Sequence, residues 1–254
     1  MIKFFRKTRQ KLLAEKKLGR YLAYAIGEIV LVVIGILIAL AINNKNQRNI
    51  DYQNEKTYLL GLKEEFNTNK YKLTELMAVN KANIEATREI LELINLKDSV
   101  PPEMEFSRLL YNSMVSDIAF DANNSFLNEI INSGSLKKIS NPKLRIMLTN
   151  WVATLEDVTR QERDLGLHRE NVLNMFRTNE YSLKTVFHLT GTNTELGLSD
   201  VESDFKSNLD LLSSIEFENK MLLFLSTSQA TEEAHYAPLM KFIDTILNTI
   251  TAEL

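Results

Sequence analysis

The stretch YAIGEIVLVVIGILIALAINN, residues 24–44, decides how the rest of the chain is read. From Leu22 to Ile42 the run carries a single charge, Glu28. As a helix rising 1.5 Å per residue it is roughly 31 Å long, about the depth of a bilayer's hydrocarbon core. Its side chains leave no polar face for water, which disfavours a core helix of a soluble domain. Tyr21 and Tyr24 stand at one end, where aromatic rings favour the headgroup level. Lys3, Arg6, Lys7, Arg9, Lys11, Lys16, Lys17 and Arg20 precede the span, against the one acid Glu15. This positive flank is expected to stay in the cytoplasm while the residues beyond the span are exported. A cleaved signal peptide is the competing reading, because Ala39-Leu40-Ala41 fits an A-x-A site. The run is longer than the roughly 7–15 apolar residues of a signal peptide, so a retained anchor is expected.

Within the span, Ala23, Gly27, Gly35 and Ala39 are spaced by four or eight residues and are read as one helix face. Small residues at such spacing let membrane helices approach closely. Glu28 adjoins this face. A carboxylate in lipid is costly unless it snorkels or meets a partner, so Glu28 is expected to mark the side that faces another membrane segment. For residues 3–17, KFFRKTRQKLLAEKK, two readings stay open. One is a short helix lying on anionic headgroups, the other a basic tail that only sets topology.

Outside the span the chain is acidic. The net charge is −3, residues 1–20 carry about +7, and residues 43–254 therefore about −9. Such a body disfavours nucleic acid as a partner. With no Cys there is no disulfide, thiolate metal site or cysteine nucleophile. Only 8 Gly and 4 Pro in 254 residues favour long helices.

Leu59, Leu62, Phe66, Leu73, Leu76, Ile84, Ile90 and Ile94 recur at helical spacing, with Asn69, Asn80 and Thr87 on the same stripe. The anchor is expected to run on into this helix, which stops at Asp98-Ser99-Val100-Pro101-Pro102. Short helices are expected at 103–116 and 124–133, the second capped by Asn124 or Ser125 and ended by Gly134. Asn141-Pro142 starts a long helix whose seam is Leu144, Leu148, Trp151, Leu155, Val158, Leu165, Val172 and Phe176. Glu162 and Arg169 fall on that seam. They either pair with other helices or mark where the seam reaches solvent. Residues 190–199 read as a loop. A last helix at 216–252 turns Phe217, Met221, Phe224, Leu239, Phe242, Ile246 and Ile250 inward, with Pro238 kinking or dividing it near Ala237.

The segments MIKFFRK-RQKLL and YAIGEIVLVVIGILIALAINN resemble the opening of an uncharacterised Gram-negative bacterial family of single-pass inner-membrane proteins. INSGSLKKISNPKLR, residues 131–145, is similar to that family's second recurring feature, a Ser-Gly-x-Leu turn before a helix. The family usually has a polar residue where Ala41 stands, and Trp and an acid where Lys45 and Gln47 stand. The resemblance implies an anchor and a helical exported domain, and it implies no activity.

The fold expected is all-α: a basic segment 1–20, a transmembrane helix 21–43, and a periplasmic up-and-down bundle 44–254 of three long and two short helices. The nearest approach to a metal motif is Glu232-Glu233-Ala234-His235, with Glu232 and His235 on one face and His235 on the apolar seam. Neither His168 nor His188 has a Glu three residues before it, so half of a di-iron ligand set is lacking. Met147 and Trp151 read as core. No nucleophile motif, phosphate loop or dinucleotide fingerprint is found. We therefore expect no catalytic activity and no cofactor. The function expected is a membrane-anchored scaffold that binds another copy of itself or another inner-membrane or periplasmic protein. The alternatives are a periplasmic ligand sensor acting through a membrane partner, and an ion-coupling accessory subunit using Glu28.

Overall fold

The computed structural model describes residues 18–96, 100–198 and 205–254, and of Leu18, Arg20 and Tyr21 the backbone alone. All regular structure among the described residues is helical. The chain divides into two compact units, Met1–Thr57 and Tyr58–Leu254. Helix α1 runs unbroken from Leu18 to Asn95, so the apolar span and the stripe beyond it belong to one element, as expected. The chemistry changes at Asn43, but the next residues, Asn44 to Gln53, are exposed. Burial begins in earnest at Leu59, just past the division after Thr57.

In the second unit, α1 turns Leu59, Leu62, Phe66, Leu73 and Ile90 into the core. It is followed by α2 (Glu103–Met114), α3 (Ser125–Asn132), α4 (Pro142–Leu173), α5 (Leu183–Thr190), the single turn α6 (Thr192–Glu195), α7 (Ile215–Ala230) and α8 (Ala237–Glu253). Helix α5 packs on α2, and α7 packs along α4. Helix α4 begins where Asn141-Pro142 predicts. Asn141 Oδ1 accepts from Leu144 N–H at 3.1 Å, and the proline stands where no donor is needed. Gly134 has φ 67°, in the left-handed region a glycine enters without strain. Trp151 is fully buried and meets the Phe66 ring edge-on at 5.0 Å. A buried aromatic or aliphatic side chain of this kind contributes roughly 1.5–3 kcal/mol by leaving water.

Two expectations are corrected. The first concerns the region before the 190–199 loop. Ser182 Oγ caps α5 by accepting from Thr185 N–H at 3.2 Å, and Val186 is buried beneath it. Gly191, at φ 80°, then ends α5 and leads into α6, so part of that loop is helical and the described residues form more short helices than two. The second concerns the last helix. It is divided not by a kink but by a π-helical turn, Thr231–Tyr236, in which Ala237 N–H donates to the carbonyl of Glu232, five residues back. Pro238 sits in the first turn of α8, the part of a helix that best tolerates a residue without an N–H.

Candidate functional site

In the first unit the span itself is the candidate. Between Leu22 and Ile42 the large apolar side chains are exposed on all sides of α1, Ile29 at 63% and Leu31 at 68%. By length and composition this helix can cross a membrane. Ala23, Gly27, Gly35 and Ala39 are all exposed, and a Cβ added at Gly27 or Gly35 meets nothing within 4 Å. At 3.6 residues per turn a four-residue spacing does not stay on one line. Ala23 and Gly27 share a face, as do Gly35 and Ala39, but the series winds about 160° around the helix between its ends. The four residues therefore do not form one straight seam. Glu28 is half-buried beside Gly27. Lys3, Arg6, Lys7, Arg9, Lys11, Lys16 and Lys17, the surface helix considered at 3–17 and the side chain of Arg20 lie outside the described residues, as do Asp98 and Ser99 of the expected stop.

In the second unit polar side chains converge on the segment between α2 and α3. Asn69 exchanges two hydrogen bonds with the backbone of Asn123: its Nδ2 donates to the carbonyl at 2.8 Å and its Oδ1 accepts from the N–H at 2.7 Å. At the next residue, Asn124 Oδ1 accepts from the Trp151 indole N–H at 2.7 Å and makes no cap. The cap of α3 comes instead from α1, where Glu65 accepts from Phe126 N–H at 2.7 Å and from Leu127 N–H at 3.0 Å, one oxygen each. Phe126 can lie there because Gly61 has no side chain: a Cβ on Gly61 would come within 2.2 Å of the ring. On α4, Glu162 is buried and uses one oxygen, Oε1, for two donors. These are Phe120 N–H at 2.8 Å and the Tyr236 hydroxyl at 2.6 Å. So Glu162 pairs with other elements, the first of the two readings of its place on the seam. Arg169 does likewise, donating from Nε to the Met114 carbonyl at 2.8 Å and from Nη2 to that of Val115 at 3.4 Å.

Burial pushes the Glu65 and Glu162 carboxyls above their ordinary range, and the hydrogen bonds each accepts only partly offset this. Burial and the Glu162 carboxylate together raise the Tyr236 phenol, so it stays the proton donor of the pair.

The π-turn explains why Tyr236 is the inward residue. Buried positions on the last helices advance by three or four, through Phe217, Met221, Phe224, Ser228 and Thr231, then by five to Tyr236, then by three or four through Leu239, Ile243, Ile246 and Ile250. The expected seam carried His235 in that place, and the extra residue of the wider turn displaces it. His235 Nδ1 is drawn to Asp157 Oδ2 on α4 at 3.5 Å, while Glu232 Oε2 accepts from Asn80 Nδ2 on α1 at 3.0 Å. Glu232 and His235 thus face different helices, and among the described residues no group of three or more acidic or imidazole ligands gathers around them. Past the turn, Ile243 takes the core position, and Phe242 packs half-buried against the core with its ring centroid 6.2 Å from that of Trp151.

Glu65, Asn69 and Tyr236 are the residues this site adds. Asn69 was visible on its stripe and Tyr236 was hidden by the shift in period. Glu65 had one signal, its place between Leu62 and Phe66 on the buried side.

The profile of DUF6090, a family of unknown function, matches residues 28–166. That range takes in Gly61, Glu65, Asn69 and Glu162 and ends before the π-turn. No curated protein and no solved structure matches the chain.

Proposed function

The chain belongs to DUF6090, a family of unknown function, and we propose that it is a membrane-anchored helical interaction protein. Its second unit, arranged as an up-and-down bundle, is held in the periplasm by a single span of α1. The observation that carries this reading is the span's exposure. Leu22 to Ile42 presents apolar side chains in all directions, and lipid is the solvent that accepts such a surface without aggregation. The basic residues before it orient it with the N-terminal segment in the cytoplasm. Asn69, Glu65, Glu162 and Arg169 make hydrogen bonds to the backbone from the end of α2 to the first turn of α3, and among the described residues they form no open reaction site. That supports binding over catalysis.

The span supplies one contact. Gly27 and Gly35 are open to a neighbouring helix, and Glu28 lies beside that approach. A photo-reactive side chain placed at Gly35 in the full chain, activated in cells, tests this. A covalent dimer, or one discrete adduct with another membrane protein, is the expected product. Adducts with lipid alone would overturn the interaction reading and leave the anchor standing.

A further inference from the structure

One cavity in the second unit is unlike the rest of the surface. It holds about 410 Å³, lies between the end of α2, the last turns of α4 and helices α5 and α6, and is walled by Leu110, Met114, Leu173, Phe176, Val186 and Phe187. Among its described lining residues Arg169 is the only charged one. We propose that this cavity binds a free medium-chain carboxylate, with its chain among the apolar walls and its carboxylate on the Arg169 guanidinium.

The argument starts with that guanidinium, which has five N–H donors. Nε and Nη2 face the carbonyls of Met114 and Val115, at the C-terminal end of α2, where carbonyls have no partner within the helix. These two bonds fix the side chain's place and leave Nη1 with no hydrogen bond to the described residues. Nor does any described carboxylate neutralise the charge. A helix-capping role alone would account for Nε and Nη2 but not for the apolar chamber built beside them.

The cavity's chemistry selects among ligands. Its volume is at the lower end of the 300–1,000 Å³ range of small-molecule sites, too small for a two-chain lipid. Its walls favour a hydrocarbon body. A single cation at the mouth of an apolar cavity balances a single anion, and a phosphate monoester would bring a second charge with no partner. The cavity lies wholly within the second unit, so the proposal stands whether or not residues 22–42 cross a membrane.

The test uses the full chain in lipid nanodiscs and decanoate carrying a diazirine. After irradiation, label is mapped by peptide mass spectrometry. Label is expected on residues 110–115 and 183–196, displaced by unlabelled decanoate and not by decanol. Arg169→Gln should lower that labelling about tenfold, the affinity equivalent of one charge-assisted hydrogen bond. Val186→Trp fills the chamber and leaves Arg169 in place, and it should abolish the label while thermal melting confirms the fold. Labelling confined to the span, equal competition by decanol, or labelling unchanged in Val186→Trp would overturn the proposal.

Discussion

Glu65 and Glu162 are both buried carboxylates that accept two hydrogen bonds, yet their geometry predicts opposite responses to the same substitution. Glu162 uses one oxygen for both donors, so the amide oxygen of Gln can replace it. Glu65 uses both oxygens, and a Gln there sets an NH₂ group against a backbone N–H. Glu162→Gln should therefore stay within about 1 kcal/mol of the parent at neutral pH, whereas Glu65→Gln should cost about 2–3 kcal/mol. Because folding raises both carboxyl pKa values, the folded chain holds protons that the unfolded chain has released. The part of the stability that these two carboxyls govern is thus fullest below the ordinary carboxylate range and is lost as pH rises through the raised values. Glu162→Gln should flatten that decline. Trp151, the only tryptophan and fully buried, reports each melt by its fluorescence. Gly61→Ala sets two effects against each other. Alanine gains up to about 1 kcal/mol in helix propensity, but driving a Cβ into the Phe126 ring costs about 1–3 kcal/mol. Overpacking should win, and the variant should melt below the parent.

At the scale of elements, the π-turn and Pro238 are coupled. Deleting Ala234 would turn Thr231–Tyr236 into ordinary helix, restoring a four-residue step from Thr231 to the tyrosine. The proline would then sit in a helix interior, where its ring meets a carbonyl and a bond is lost, at about 3 kcal/mol. The deletion alone should lower the melting temperature, and adding Pro238→Ala should recover most of the loss. Equal melting of the two variants would show that the turn does not exist to house the proline. This element also marks the limit of what the sequence discloses. Helices α1 to α4 were legible because their inward positions keep one helical phase, polar residues included, and Asn141-Pro142 and Gly134 punctuate it. The seam failed at His235 because one inserted residue resets the period, and no composition signal announces it. Helix α5 was missed because eight residues give too few repeats to read. The α3 cap was missed because its donor-acceptor partner, Glu65, is distant in sequence.

For the whole molecule, the proposed topology is cytoplasmic for the basic residues before 22–42 and exported for those after it. The chain has no cysteine, so one introduced thiol reports on one position. Asn46→Cys lies on exposed helix just past the span, and Lys7→Cys lies in the basic segment before it. In intact cells with a permeable outer layer, a membrane-impermeant maleimide should label Asn46→Cys at once and Lys7→Cys only after lysis. Labelling of neither before lysis, or of Lys7→Cys first, would contradict the account.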